Sequence, residues 1–247
     1  MPLPCLPSAV GVRIATTRTE LRRAYELAYD RYLHKGYIRP HPGRVLYHEA
    51  FSFPSSRTLI AADRSGKVLG TLTVVGDNPF GLQAETTYPL EIQALRAKGR
   101  NLAEITCLAI RDLDRRLAAA VFFAITKLMI HHVYREGYDD LVMAIHPRHY
   151  RFYWRYFRVF PLGPQRPHEP ANGNPAVCHR IDLRTFRRNV VPELWEQYFS
   201  EPVPESALDR PPIRPIDHLY FCRLSGLFAG STDADWSGHS SWHDKRA

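Results

Sequence analysis

The 247-residue sequence predicts an α/β (α+β) fold, a central mixed β-sheet with helices on both faces. Three observations predict it. Arg57–Asp63 and Lys67–Gly76 are rich in β-formers and are joined by the turn-type run Asp63-Arg-Ser-Gly66, which spells an antiparallel hairpin. Asn101–Arg111 carries apolar residues on both faces of a strand, with Leu102, Leu108 and Ile110 on one side and Ala103, Ile105, Cys107 and Ala109 on the other. Such a strand sits centrally in a sheet, covered on both sides. From there a helix over Leu117–Glu136, a strand over Asp140–Ile145 and a helix over Pro147–Phe157 follow in order. That is the pattern of a crossover unit joining parallel neighbours.

The elements follow from local chemistry. Thr17-Arg-Thr-Glu20 has capping-box spacing, and Leu21, Ala24, Tyr25, Ala28, Tyr29 and Tyr32 then recur on one helical face until Gly36. Those tyrosines place phenolic groups at the edge of a core or pocket. Asp77–Arg100 is a long excursion whose second half, Pro89–Lys98, predicts a short helix between Pro89 and Gly99. Pro161–Pro175 carries five prolines and predicts a loop, followed by a strand over Ala176–Leu183 and a helix over Val191–Phe199. Pro202–Pro215, again with five prolines, predicts a linker, and the Ser-, Asp- and His-rich stretch 230–247 predicts disorder.

Composition narrows the partners. The formal charge of +8 points to anionic ones: nucleic acid, a membrane surface, an acidic protein or a phosphate-bearing cofactor. The cysteines Cys5, Cys107, Cys178 and Cys222 are far apart with no C-x-x-C spacing, which disfavours a zinc cage or a disulfide scaffold and makes reduced cytosolic thiols the default. Met1–Ala15 lacks the pattern of a secretory signal, and the apolar run Leu117–Ile125 is too short to span a bilayer. The expected localisation is cytoplasmic.

Glu104 stands out because a carboxylate inside a buried strand is costly unless it is paired, protonated or put to use. Thr106 points the same way, and an acid beside a hydroxyl on a rigid strand suits proton handling. The alternative is a solvated strand end or a pair with an arginine. His146 and His149, on either side of Pro147, suit capping or substrate orientation better than a metal. Arg148, Arg151, Arg155 and Arg158 alternate with aromatics and fit a dock for an acidic partner, a nucleic-acid surface or a solvated helix face.

Several pieces in order resemble the FeeM-type long-chain N-acyl amino acid synthases. These belong to the Gcn5-related N-acyltransferase superfamily and are related to the acyl-homoserine-lactone synthases. The pieces are Ala24-Tyr-Glu-Leu-Ala-Tyr-Asp-Arg-Tyr-Leu33 with Gly36-Tyr-Ile38, Gly70-Thr-Leu-Thr73, Pro89-Leu-Glu-Ile-Gln-Ala-Leu-Arg96 with Gly99-Arg100, Ala103-Glu-Ile-Thr-Cys-Leu-Ala-Ile110, and His146-Pro-Arg-His149 with Phe152-Tyr153. The resemblance implies the Gcn5-related N-acyltransferase fold over 17–186, with an N-terminal extension over 1–16 and a C-terminal helical extension over 187–229. It implies transfer of a long-chain fatty acyl group from an acyl carrier protein thioester to the amine of an amino acid, tyrosine-like in the founding members. No cofactor is then bound permanently, since the carrier protein presents the acyl-phosphopantetheine. Nucleic acid is not an expected partner, and peripheral membrane contact would arise through the lipid product.

By the same resemblance Glu104 and Thr106 match the acid and hydroxyl of the lactone synthases, and the oxyanion contact is a backbone N–H near Cys107, Leu108 and Ala109. The acceptor site falls on Arg31, Tyr32, His149 and Tyr153, although Tyr153 is as readily a packing residue. Phe122, Ile125 and Met129 would line an acyl tunnel or merely pack the core, and Arg115, Arg116, Arg148 and Arg151 would dock the carrier protein. Cys107 as an acylated nucleophile is a further, less favoured reading. Two departures stand out: Cys107 where the lactone synthases commonly have arginine, and Ala28 in Leu27-Ala28-Tyr29 where the family often has Leu-Arg-Tyr. They leave open a catalytically degenerate acyl- or carrier-protein-binding module of the same fold. The superfamily's glycine-containing pyrophosphate loop is here Arg111-Asp-Leu-Asp-Arg-Arg-Leu-Ala118, which has no glycine and two aspartates. Such a loop is a poor phosphate cradle, which argues against ordinary coenzyme A binding.

Overall fold

Thr17 caps the first helix as its spacing requires. Its hydroxyl accepts the Glu20 N–H at 3.2 Å, and the Glu20 carboxylate accepts the Thr17 N–H at 3.3 Å. A computed structural model describes residues 4–227; the stretch expected to be disordered, 230–247, lies outside the described residues. Helix α1 (Arg18–His34) buries Leu21, Ala24, Tyr25, Ala28 and Tyr29 on one face, as the periodicity predicts.

The sheet has eight strands: β1 (Val10–Ile14), β2 (Ser56–Asp63), β3 (Val68–Gly76), β4 (Leu102–Ile110), β5 (Asp140–Ile145), β6 (Phe160–Pro161), β7 (Arg166–His168) and β8 (Asn174–Asp182). Their order is β1-β2-β3-β4-β5-β8-β6, with β7 paired to β8. The β2–β3 hairpin forms where expected, its turn tied by Asp63 Oδ1, which accepts the Ser65 N–H at 2.9 Å and the Lys67 N–H at 3.0 Å. β4 and β5 are parallel and the other pairs antiparallel, so the sheet is mixed.

Helix α2 (Pro89–Arg96) follows the long excursion, and α3 (Arg115–Arg135) is the crossover between β4 and β5. By length and composition alone α3 could cross a bilayer, but most of it is packed inside the protein. It covers one face of the sheet with Val121, Phe123, Ile125, Leu128 and Ile130. α1 and α2 cover the other. The helix expected over Pro147–Phe157 is split into a 3₁₀ turn, Pro147–His149, and α4 (Tyr150–Phe157), because the His146 imidazole accepts the Arg148 N–H at 3.2 Å and tightens the first turn.

Three sequence expectations need revision. The stretch ahead of Thr17 contributes β1, an edge strand paired with β2. The proline-rich loop 161–175 carries β7 and a 3₁₀ turn at Glu169–Ala171, because its prolines fall at edges and turn starts, where no ladder N–H is needed. The face assignment along β4 holds only as far as Thr106. Thr73 pairs with Thr106 and Thr71 with Ala109, so Cys107 and Leu108 together oppose Leu72. Cys107 adopts φ 53°, the left-handed conformation of a β-bulge. Past it the alternation shifts: Leu108 and Ile110 join Ala103 and Ile105 on the α3 side, and Cys107 and Ala109 join Leu102 on the α1 side.

The C-terminal stretch is helical, with α5 (Phe186–Asn189), α6 (Pro192–Phe199), α7 (Glu205–Leu208) and α8 (Pro215–Ser225). α6 packs into the α3-side core through Leu194 and Tyr198. α8 packs beside α1 through Phe221 and Cys222, and its buried Asp217 accepts from Arg18 and Arg214.

Gly70 lies where β3 meets α3: a Cβ there would sit 2.6 Å from Val121 Cγ1 and 2.9 Å from the Cδ1 atoms of Ile110 and Ile125. We expect Gly70→Ala to cost about 1–3 kcal/mol, the usual penalty of overpacking. Urea unfolding of variant and parent checks this, and equal midpoints would contradict it.

Candidate active site

The pairing of β4 with β5 covers Leu102, Ala103 and Glu104, opposite Asp140, Leu141 and Val142, and then stops. Beyond it the strands part. The gap is lined by Ile105, Thr106 and Leu108 from one strand and Met143, Ala144 and Ile145 from the other. This parting opens a cavity of about 300 Å³ with two unlike ends. The α1 side is polar, with Glu104, Thr106, Tyr32, Tyr37, Gln83 and His168. The α3 side is apolar, with Leu72, Phe122, Met129, Phe157 and Ile181.

Glu104 is 3% exposed and sits at the junction of these ends. Its Oε1 accepts the Ala84 N–H at 3.1 Å, while its Oε2 has no hydrogen-bond partner. Neither solvation nor an arginine pair holds it, so the bland readings of this residue fall away. Burial pushes its carboxyl up to about 8, against weaker opposing contacts from the Ala84 and Gln83 backbone. Thr106 lies on the same side and donates to Gln83 Oε1 at 3.2 Å. A half-satisfied carboxyl poised near 8 and facing a cavity is equipped to accept a proton from a bound amine.

Around the polar end stand groups held neutral. His149 is pushed down by burial and by Arg148, and His146 and His168 are pushed down chiefly by burial. His168 Nδ1 lies 2.7 Å from the Thr87 hydroxyl. Burial pushes Tyr153 up to about 12 and Tyr32 well above its usual value, so both phenols keep their protons. Arg148 donates to the Tyr37 hydroxyl at 2.5 Å and to His149 Nε2 at 3.1 Å, closing the rim. Among the described residues no group of three or more His, Cys, Asp or Glu is arranged to hold a metal.

The structure thus brings Glu104, Thr106, Leu108, Tyr32, His149, Tyr153, Phe122 and Met129 to one cavity. It does not bring Arg31 or Ile125 there. Arg31 lies one residue before Tyr32 on α1, about 100° round the helix, which turns it off the lining face. Ile125 packs into the core, its Cδ1 against the Gly70 position. Cys107 and Ala109 also lie outside the lining, buried behind the bulge, and burial pushes the Cys107 thiol up to about 12. Arg115, Arg116, Arg148 and Arg151 are exposed, and of these Arg148 touches the rim. Sequence reasoning missed Gln83, His168 and Thr126 as lining residues. Gln83 and His168 lie in irregular segments without periodicity, and Thr126 looked like an interruption in an apolar helix.

The raised carboxyl has a consequence for stability. Its native value near 8 exceeds the ordinary 4.5, so between these pH values the folded state holds a proton that the unfolded state has released. Glu104 therefore leaves stability unaffected in acid and subtracts from it progressively as pH rises towards 8. Glu104→Gln removes this titration, and we expect its stability advantage over the parent to grow from about pH 5 to about pH 8. Denaturation curves at both pH values check this; a pH-independent difference would contradict it.

Comparison with known proteins identifies the family and the fold. Residues 23–182 match the family model described as N-acyl amino acid synthase FeeM. The structure of FeeM, an N-acyl amino acid synthase from uncultured soil microbes, superposes with a TM-score of 0.62 at 21% identity, over 74% of this chain and 94% of that one. The AHL synthase LasI follows with a TM-score of 0.57 at 14% identity, over 79% of this chain and 96% of that one. BjaI, a CoA-dependent acyl-homoserine lactone synthase solved with SAM and isopentyl-CoA, gives 0.56 at 15% identity, over 87% and 100%. No curated protein matches in sequence. Because the family match spans more than half of the chain, this protein is an acyltransferase belonging to the FeeM family of N-acyl amino acid synthases.

Proposed function

We propose that this protein moves a long-chain fatty acyl group from an acyl carrier protein thioester to the amine of an amino acid, tyrosine-like by resemblance. The observation that carries this is the cavity's division at Glu104: a basic oxygen at the polar end, and an apolar arm along α3 suited to hydrocarbon. The amino acid enters between Tyr32, His149 and Tyr153. Its ammonium gives up a proton to Glu104, and the freed amine attacks the thioester carbonyl. The tetrahedral oxyanion is met by a backbone N–H at the bulge, for which Leu108, out of register with β3 and lining the cavity, is the candidate among Cys107, Leu108 and Ala109. Collapse expels the pantetheine thiolate, and the nitrogen's second proton passes to that thiolate through the Tyr153 phenol, which gains one proton as it gives one and ends protonated.

The donor assignment rests on the start of α3. Asp114 Oδ1 accepts the Arg116 and Leu117 N–H groups, both at 3.0 Å, so these amides are occupied by the chain's own carboxylate. A pyrophosphate seeking the helix N-terminus meets that carboxylate instead. A pantetheine arm presented by an acidic carrier protein needs no such grip, and exposed Arg148 at the rim, with exposed Arg151 three residues on, would give the carrier a basic surface. BjaI is described as CoA-dependent, which makes the two donors the informative comparison. A non-catalytic acyl-binding module of the same fold is the alternative. It draws on Ala28, fully enclosed on α1, and on Cys107, the two positions where the resemblance leads one to expect arginine.

Incubation of the purified protein with long-chain acyl carrier protein and amino acids should yield N-acyl amino acids by mass spectrometry. Coenzyme A thioesters should turn over poorly, and a preference for them would overturn the donor assignment. The rate should rise with pH along a limb near 8, set by Glu104. Glu104→Gln should lower turnover by about 10²–10⁴ and abolish that limb. Full turnover by a folded Glu104→Gln protein removes the proposed base.

Charge reversal at Arg148 and Arg151 should raise KM for the carrier protein, by less as salt rises, since exposed charges are screened over about 10 Å at 0.1 M salt. Kinetics indifferent to both mutation and salt would place the dock elsewhere.

A further inference from the structure

The apolar end of the cavity closes on a polar residue. Thr126 of α3 lines the cavity beside Phe122 and Met129, yet it is 4% exposed. Its hydroxyl donates to Phe122 O at 2.8 Å, the backbone bond a helical threonine often makes. Its oxygen is left free to accept, and Tyr198 of α6 meets it at 2.5 Å. With the threonine proton already committed, Tyr198 is the donor. Tyr198 is wholly buried and does not itself line the cavity. It stands directly behind Thr126.

Tyr198 is fixed from several sides. Its carbonyl oxygen lies 2.7 Å from His131 Nε2, five residues further along α3. The next residue, Phe199, stacks on Trp195 with ring centroids 4.0 Å apart and rests against His131 and Tyr134. α6 is therefore bound to the helix that carries the apolar arm. A wall held by a short hydrogen bond and a stacked aromatic base does not yield to an advancing methyl group as a loose aliphatic contact would.

We propose that Thr126, backed by Tyr198 from the segment after the family-matched region, forms the floor of the acyl arm and sets the longest chain the enzyme accepts. This rests on the acyl-transfer reading above and gives α6 a role in specificity. Thr126 and Tyr198 act as positioning residues; neither touches the reacting carbonyl.

The test uses the full chain and two opposed changes. Thr126→Leu pushes an extra side chain into the arm, whereas the double variant Thr126→Ala/Tyr198→Ala removes the floor. With a mixture of acyl carrier protein donors of graded length, Thr126→Leu should shift products to shorter chains and the double variant to longer ones. Each shift should be about tenfold or more in relative kcat/KM for a change of about two carbons. In the double variant kcat/KM for donors beyond the parent's limit should rise relative to shorter ones, a dependence on length that a general loss of packing would not reproduce. A folded variant with the parent's length profile, or one shifted the other way, overturns the proposal. If the double variant does not fold, Thr126→Leu alone decides. If the parent makes no product from any donor, the acyl-transfer reading fails by itself. Displacement of a fluorescent fatty acid by acids of graded length, run on the same proteins, then decides whether the floor is real.

Discussion

The site depends on the point at which β4 stops pairing with β5. Up to Glu104 the two strands form a ladder, and that ladder is clamped at its start. Arg100, just before β4, donates to Asp140 at the start of β5 and to Asp182 at the end of β8. A mostly buried arginine with two carboxylates is stabilising only as a complete set, because removal of one partner strands a charge. With this end held shut, the strands diverge at the other. Glu104 is the last paired residue, so its carboxyl stands where the ladder ends and the cavity begins. The same divergence joins the α1 side of the sheet to the α3 side. A polar acceptor and a hydrocarbon donor can therefore meet from opposite faces of one sheet.

Much of this was legible in the sequence, and the reasons differ by element. Thr17, Glu20 and the run from Leu21 to Tyr32 are local signals, read correctly because capping and helical period involve neighbours in the chain. The β2–β3 hairpin carried its own turn chemistry. Glu104 was visible as a carboxylate inside an apolar strand, a contradiction that only a special environment resolves. What stayed hidden was non-local. The bulge at Cys107 depends on how β4 sits against β3, and nothing in Thr106-Cys-Leu-Ala announces a left-handed cysteine. Gln83 and His168 reach the cavity from irregular segments. Arg31 and Ile125 show the converse error: each adjoins a functional position in sequence or type, but helix geometry turns one away and core packing claims the other.

The rim of the cavity shows why net charge alone says little. The positive excess points to anionic partners, but the histidines at the mouth are kept neutral by burial and, at His146 and His149, by Arg148. Positive charge at the mouth rests on exposed Arg148, while the cavity presents imidazoles held neutral, protonated phenols and one carboxyl with a raised affinity for its proton.

Cys107 decides between two chemical routes. A thiol beside the reacting centre invites a two-step mechanism through an acylated cysteine, for which the thiolate must be accessible. Here the thiol is buried, lies outside the cavity lining and is pushed up to about 12 by its surroundings. The thiol therefore stays protonated at neutral pH, and among the described residues no histidine or lysine is hydrogen-bonded to it; its side-chain contact is the Thr106 hydroxyl at 3.9 Å. What Cys107 does supply is its backbone: a left-handed residue in mid-strand takes two successive residues out of step with the neighbouring ladder. An arginine side chain at this position would have to leave a closely packed α1-side core, whereas a cysteine fits that space without a buried charge. The geometry therefore favours direct transfer, in which the acyl group passes from thioester to amine without resting on the protein, and the strained residue acts through the strand it bends.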